Sequence, residues 1–195
     1  MADAFADCID EGSIRLRLLA DADAPALFGV FSDPDVMRYW SAPPMTDPAQ
    51  AAQMVRDAQA AYATGESLRI GVERKCDAAL VGTCSLFAFH ATSRRAELGY
   101  ALGRSYWGQG LMHAALRALV RHAFERIGLQ RLEADIDPRN AASARSLERL
   151  GFVREGLLRD RWIVNGEVSD SAYYGLLRSD WDASRSRGAA SGAIA

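Results

Sequence analysis

Between a strand-like segment, residues 96–102, and an apolar-periodic run, residues 112–127, the chain carries Tyr106-Trp107-Gly108-Gln109-Gly110-Leu111. Two glycines one residue apart, where a strand gives way to a helix, leave backbone N–H groups uncovered by side chains. The first N–H groups of a helix lack internal partners and lie at the positive end of its dipole, so an anion placed there satisfies both. The competing reading is a tight strand-to-helix turn with no ligand, and this stretch alone does not separate the two. What favours the anion site is a second stretch, Asn140-Ala141-Ala142-Ser143-Ala144-Arg145-Ser146-Leu147-Glu148-Arg149-Leu150-Gly151-Phe152.

At 195 residues with 49% hydrophobic content, the chain is long enough for one domain with a sizeable core. We place that domain at residues 13–182, after a ragged leader, 1–12, and before a flexible tail, 183–195. A formal charge of −2 and a pI near 5.9 argue against nucleic acid as the main partner. Cys8, Cys76 and Cys84 form no C-x-x-C pair and no even disulfide framework, which points to a reducing compartment. No apolar run has the length of a membrane span, and acidic residues 1–11 lack the positive region of a signal peptide. A cytoplasmic protein with no membrane partner is the expectation. His90, His113 and His122 are scattered, so neither a metal cluster nor a Cys–His nucleophile is suggested.

In chain order, Ile14, Leu16 and Leu18 alternate with Arg15 and Arg17, the period-two pattern of a half-buried strand over residues 13–19. Asp21 to Pro25 supplies helix-start chemistry, and Pro34 ends that first helix. Thr46 or Asp47 with Pro48 caps a longer helix running to about Ala63. Tyr39 and Trp40, between the two helices, are read as core packing in preference to a substrate pocket. Residues 67–73, 80–90 and 96–102 make a three-stranded antiparallel meander. In the helix after the glycines, Leu111, Met112, Ala115, Leu116, Leu119, Val120, Ala123, Phe124 and Ile127 share one face, which must cover a sheet. A strand at 129–136, a helix from Asn140 or Ala141 to Leu150, and strands at 152–164 and 167–177 joined by Asn165-Gly166 complete the fold. Residues 182–195 read as a frayed tail. The interleaving predicts an α/β (α+β) fold: a mixed, mostly antiparallel central sheet flanked by helices. The helix that follows the glycines makes its flanking strands a parallel pair, and a pocket should open where they diverge.

Glu97-Leu98-Gly99-Tyr100, the loop Tyr106 to Gly110, Asn140-Ala141-Ala142-Ser143 and Leu150-Gly151-Phe152 together resemble the GNAT superfamily of N-acetyltransferases. The likeness covers about residues 13–182. More narrowly, it is similar to the branch that acetylates N-terminal amines of ribosomal proteins, the Rim type, whose relatives also act on small amines. The resemblance implies acetyl-CoA as co-substrate and no metal. It places the pyrophosphate on the backbone of Trp107, Gly108, Gln109, Gly110, Leu111 and Met112, and the pantetheine arm along the strand at Tyr100, Ala101 and Leu102. Where the family's loop usually begins with Gln or Arg, this chain has Ser105, so the loop's role is assigned to its backbone.

Acetyl transfer needs a neutral amine, a polarised carbonyl and a proton for the departing thiolate. By resemblance, Glu97 is the general base, directly or through water, Ser143 protonates the thiolate, and Asn140 hydrogen-bonds the pantetheine. Glu97 reads equally well as a strand carboxylate paired with Arg94 or Arg95. Asn140 and Ser143 also suit a helix cap, a role that can coexist with binding. The acceptor is a primary amine, either a protein N-terminus or a small molecule, met by residues 33–45 and 161–170. The sequence leaves a homodimer open through an edge strand at the terminal hairpin. A non-catalytic acyl-CoA-binding module is the alternative. A dinucleotide binder is disfavoured by the lack of a G-x-G-x-x-G fingerprint near the start.

Overall fold

The computed structural model describes residues 8–192, with side chains to residue 186. Eight strands form one sheet in the order β1-β2-β3-β4-β5-β6-β8-β7. They are β1 (Cys8–Glu11), β2 (Ile14–Leu18), β3 (Leu68–Arg74), β4 (Ala79–His90), β5 (Arg95–Leu102), β6 (Arg131–Ile136), β7 (Val153–Val164) and β8 (Glu167–Leu177). All neighbours are antiparallel except β5 and β6, as the crossover helix α4 (Leu111–His122) requires. The meander β3-β4-β5 and the Asn165-Gly166 hairpin stand as the sequence reading expects. Asn165 and Gly166 have φ of 50° and 83°, the positive values that a tight two-residue turn needs.

Period-two alternation sorts the strands into two faces. Ile14, Leu16, Ile70, Val72, Leu86, Leu98, Leu132 and Leu176 are buried on one side, against Leu111, Leu116, Leu119 and Phe124 of the α4 region and Leu147 of α5 (Ala141–Arg149). Each fully buried side chain of this size contributes about 1.5–3 kcal/mol. On the other face, α1 (Ala24–Phe31), α2 (Pro34–Met37) and α3 (Pro48–Thr64) bring Leu27, Val30, Phe31 and Val55 onto Leu80 and Ala101. These helices cover only the β2-β5 half. The polar side chains of β5, β6 and β8 on that same face therefore border open space.

Helix boundaries follow the expected chemistry. The Asp47 carboxylate accepts the Ala49 N–H at 2.8 Å, and Gln50 Oε1 reaches back to the Asp47 N–H at 3.0 Å, a reciprocal cap that fixes the start of α3. Asp23 differs: it leaves α1 uncapped and instead binds the Arg17 guanidinium at 2.7 and 2.8 Å, while Arg17 Nε reaches Glu73 at 2.6 Å. Bidentate pairing at a largely buried site ties β2, β3 and the entry to α1 together.

Two terminal expectations are corrected. Within the leader, Cys8–Glu11 is strand β1, paired with β2 from Cys8↔Arg17 to Glu11↔Ile14. Glu11 accepts from Arg117 and, at 2.8 Å, from Arg121, so its charge ties β1 to α4. Past Leu177 the chain forms α6 (Arg178–Gly192), and Trp181 packs on Phe124 with ring centroids 5.3 Å apart. One large aromatic anchors a segment whose composition otherwise suggests fraying. The remaining leader and tail expectations, at residues 1–7 and 193–195, lie outside the described residues.

Candidate active site

Hydrogen-bonded pairing between β5 and β6 runs through Arg95↔Arg131 and Ala96↔Leu132 and stops at Glu97↔Glu133, although β5 continues to Leu102 and β6 to Ile136. The strands diverge from that point. Beyond it, one backbone edge of each strand has no strand partner, and the gap opens toward the glycine turn. A bulge in β4 between Phe87 and His90, where Ala88 has φ of 50°, sits across from Glu97 and re-aims the strand beside the gap.

At the far end of β5, Gly108 and Gly110 hold φ of 73° and 74°, and no heavy atom lies within 4 Å of where a Cβ would stand on either. Gly110 is the N-cap of α4, and no side chain caps that helix. The first N–H groups are thus open to an anion from outside. The Trp107 indole donates to the Leu102 carbonyl at 2.8 Å, and the Gln109 amide donates to the Ser105 carbonyl at 3.0 Å, which brace the turn against the strand. Leu111 and Met112 turn their side chains into the core and leave only backbone to the turn. This cradle fits a pyrophosphate, and the unpaired edge of β5 through Tyr100, Ala101 and Leu102 fits an amide-bearing arm laid beside it.

A cleft of about 400 Å³ opens over the divergence and brings together Glu97, Tyr100, Asn140 and Ser143. Residues 107–112 do not line it; they sit beyond the end of β5. Glu97 makes no hydrogen bond or ion pair among the described residues. The Arg95 expected as its partner instead binds Glu133 at 2.6 Å, and Arg131 and the Tyr173 hydroxyl also donate to Glu133, at 2.8 and 3.1 Å. Burial pushes the Glu97 pKa up, the charges of Glu133 and Asp135 add to this, and Arg95 and Arg161 oppose it. An unbonded carboxylate with a raised pKa suits a proton acceptor working near neutral pH.

Asn140 Oδ1 accepts the Ser143 N–H at 3.1 Å, the helix cap that the sequence allows, and its amide NH₂ stays without a partner among the described residues. The Ser143 Oγ lies 2.5 Å from the Tyr100 hydroxyl, and that hydroxyl also donates to the Ser143 carbonyl at 3.3 Å. Burial pushes the Tyr100 pKa up to about 12, with Ser143 opposing, so the pair keeps its protons at neutral pH. Asp135, which sequence reasoning missed, lines the same cleft. Its pKa is raised by burial, against Arg161 at 3.9 Å and a Trp162 hydrogen bond. The signal was available: Arg131, Glu133 and Asp135 alternate along β6 on the face that Glu97 occupies.

Both segments expected at the acceptor mouth reach the cleft, through Tyr39, Trp40 and Ser41 on one side and Arg161, Trp162 and Ser169 on the other. Trp40 also stacks edge-on against Phe31 at 5.3 Å, so core packing and cleft lining coexist in it.

A splayed strand pair between an anion cradle and an acid-lined mouth suits transfer of a group from a phosphate-anchored donor to an amine, and the class defined here is the acyl-group transferases. A family model described as an acetyltransferase (GNAT) domain matches residues 13–153. An uncharacterized N-acetyltransferase of Bacillus licheniformis, p20, is 33% identical over 168 residues, 86% of this chain and 94% of that protein. The ribosomal protein uS5 alanine N-acetyltransferase of Escherichia coli is 35% identical over 98 residues, 50% of this chain and 48% of its own. Among solved structures, one titled a probable acetyltransferase superposes with a TM-score of 0.81 at 30% identity, covering 89% of this chain and 98% of its own. The chain belongs to the GNAT acetyltransferase family and is an N-acetyltransferase; the family uses acetyl-CoA. No helix among the described residues is long and apolar enough to cross a membrane.

Proposed function

We infer that this chain transfers the acetyl group of acetyl-CoA directly to a primary amine, with Glu97 as base and Ser143 as the hydroxyl that meets the departing thiolate. The observation that carries this is the meeting of an unbonded, raised-pKa carboxylate and a buried Ser–Tyr hydroxyl pair in one cleft where β5 and β6 part. Bound acetyl-CoA supplies the activated acetyl group and a thiolate leaving group. The backbone of residues 107–112 anchors its pyrophosphate, Tyr100, Ala101 and Leu102 hold the pantetheine arm by backbone, and the free Asn140 amide donates to it. Glu97 removes a proton from the ammonium, so the nitrogen lone pair becomes available. The Ser143 hydroxyl, accepting from Tyr100, gives its proton to the departing sulfur and regains the second proton that the nitrogen sheds as the amide forms. No covalent bond to the protein is needed.

The acceptor in this reading is a protein N-terminus of the ribosomal type or a small amine, and the site of action is the cytoplasm. The E. coli relative's action on uS5 supports the first acceptor. Three free cysteines suit a reducing compartment. A homodimer fits the free edge of β7, where Val153, Leu157 and Ile163 are exposed.

A thermal-shift titration with acetyl-CoA, CoA, ATP and NAD tests the cofactor assignment. A ligand at about 100 times its Kd adds roughly 2.7 kcal/mol. Stabilisation by acetyl-CoA and CoA alone is expected, and an acetyl-transfer assay over an amine panel follows. Stabilisation by ATP or NAD instead would overturn the reading, and acetyl-CoA binding without transfer to any amine would favour the non-catalytic module.

A further inference from the structure

Two arginines line the cleft, Arg69 and Arg161. Arg161 has Asp135 at 3.9 Å. Arg69 makes no hydrogen bond and no ion pair among the described residues, although it is half-buried and lines the cleft. Burial pulls its pKa down, and Asp57 on α3 is the acid whose charge opposes this from a distance. The arginines of β2, β5 and β6 on this face have carboxylate partners: Arg15 and Arg17 bind Glu73, Arg95 and Arg131 bind Glu133. A guanidinium taken from water without a counter-ion costs free energy that a well-placed anion recovers.

Sheet register fixes where that anion would be. Arg69 pairs with Ser85, Ser85 pairs with Gly99, and Glu97 lies two residues back along β5 on the same face. With ordinary strand spacing and rise, the Cα atoms of Arg69 and Glu97 are roughly 12 Å apart, and both residues line one cleft. Gly99 between them has the Phe87 ring 3.2 Å from where a Cβ would stand, and Ser85 is the side chain between Gly99 and Arg69 on the cleft floor. One small amine, or the first two or three residues of an extended peptide, spans that distance.

The geometry points to Arg69 as the residue that reads the acceptor, binding an anionic oxygen carried by the same molecule whose amine meets Glu97. This rests on the acetyl-transfer reading above and names its acceptor class: an amine with a carboxylate or phosphate a few bonds away, in preference to a polycation. Two sources share that chemistry, a small amino acid and a peptide N-terminus with an acidic residue close behind.

The test is calorimetric binding to the full chain saturated with CoA, using two matched pairs. The first is γ-aminobutyrate against its amide; the second is a tetrapeptide amide with glutamate in second place against its glutamine counterpart. Spermidine is the polycation control. In the unmodified protein the anionic member of at least one pair binds about tenfold or more tightly than its neutral match, as a charge-assisted hydrogen bond predicts, and which pair responds identifies the source. Arg69→Gln abolishes the preference, and Arg69→Lys keeps part of it. Equal binding within both pairs, failure of both anionic probes to bind, a preference that survives Arg69→Gln, or tighter binding of spermidine overturns the assignment. Failure of the acetyl-transfer reading registers separately, as loss of acetyl-CoA binding or of transfer. An enzyme that binds acetyl-CoA and acetylates neutral amines refutes only the role of Arg69.

Discussion

The Tyr100 hydroxyl and the Ser143 Oγ lie 2.5 Å apart, one on β5 and one in the first turn of α5, and with the longer bond to the Ser143 carbonyl this contact joins the two walls of the cleft. Each side chain orients the other. Ser143→Ala should lower kcat by up to ~10²-fold without abolishing it, because a thiolate leaves well unaided. Tyr100→Phe should cost less, and the double variant should be close to Ser143→Ala alone, since both changes remove the same hydroxyl–Oγ contact. Steady-state kinetics on the three variants checks this. Simple multiplication of the two losses would show that the hydroxyls act independently.

Glu97 carries two pH signatures. With its pKa raised by burial and by Glu133 and Asp135, the acidic limb of kcat/KM should fall above the ordinary carboxylate range and vanish in Glu97→Gln along with most of the activity. Stability runs the opposite way. A raised folded-state pKa means that the contribution is fully present below the unfolded value of about 4.3 and is lost as pH rises through the folded pKa. Glu97→Gln should therefore raise Tm at neutral pH and lose that advantage in acid. A series of thermal melts from pH 4 to 8 would read it, and a lower Tm at neutral pH would contradict it.

Gly110→Ala separates backbone conformation from contact. No atom stands within 4 Å of the new methyl, but φ of 74° is unfavourable for any residue with a Cβ. The cost is about 1–2 kcal/mol, expected both as lost stability and as roughly tenfold weaker acetyl-CoA binding. Gly12→Ala is the control: its φ is 56° with equally open surroundings, in the β1-β2 turn and outside the residue 107–112 cradle. It should lose stability alone.

Trp181→Ala should destabilise the fold by about 1–3 kcal/mol, less than a fully buried aromatic would cost, and leave kcat/KM unchanged. Trp181 touches Phe124 and receives the Arg185 guanidinium 4.6 Å from its ring centroid, on the side of the molecule away from the cleft. Denaturant melts and one kinetic run decide it.

The parts legible in the sequence were those with a local signature. The Asp47-Pro48 start, the Asn165-Gly166 turn and the glycine pair before α4 each encode their geometry within a few residues. Glu97, Tyr100, Asn140 and Ser143 come from four motif positions that the fold gathers into one cleft. What stayed hidden depends on partners distant in sequence. Cys8–Glu11 has no strand pattern of its own and becomes β1 only because β2 offers an edge and α4 offers Arg117 and Arg121. Residues 178–186 look polar throughout, and a single tryptophan finding Phe124 decides their docking. Arg69 alternates correctly with Leu68 and Ile70, yet nothing local says that no carboxylate will meet it.

Only three residue pairs join β5 to β6, at one end of the strands. Mechanically, the sheet is two stiff plates, β1 to β5 and β6 to β8, fastened by a short seam. An acyl-CoA arm lying in the open wedge would act as a second fastening along the rest of its length. Occupancy should then suppress rocking of the plates, slowing amide hydrogen exchange at Leu98–Leu102 and across β6 and β8 together.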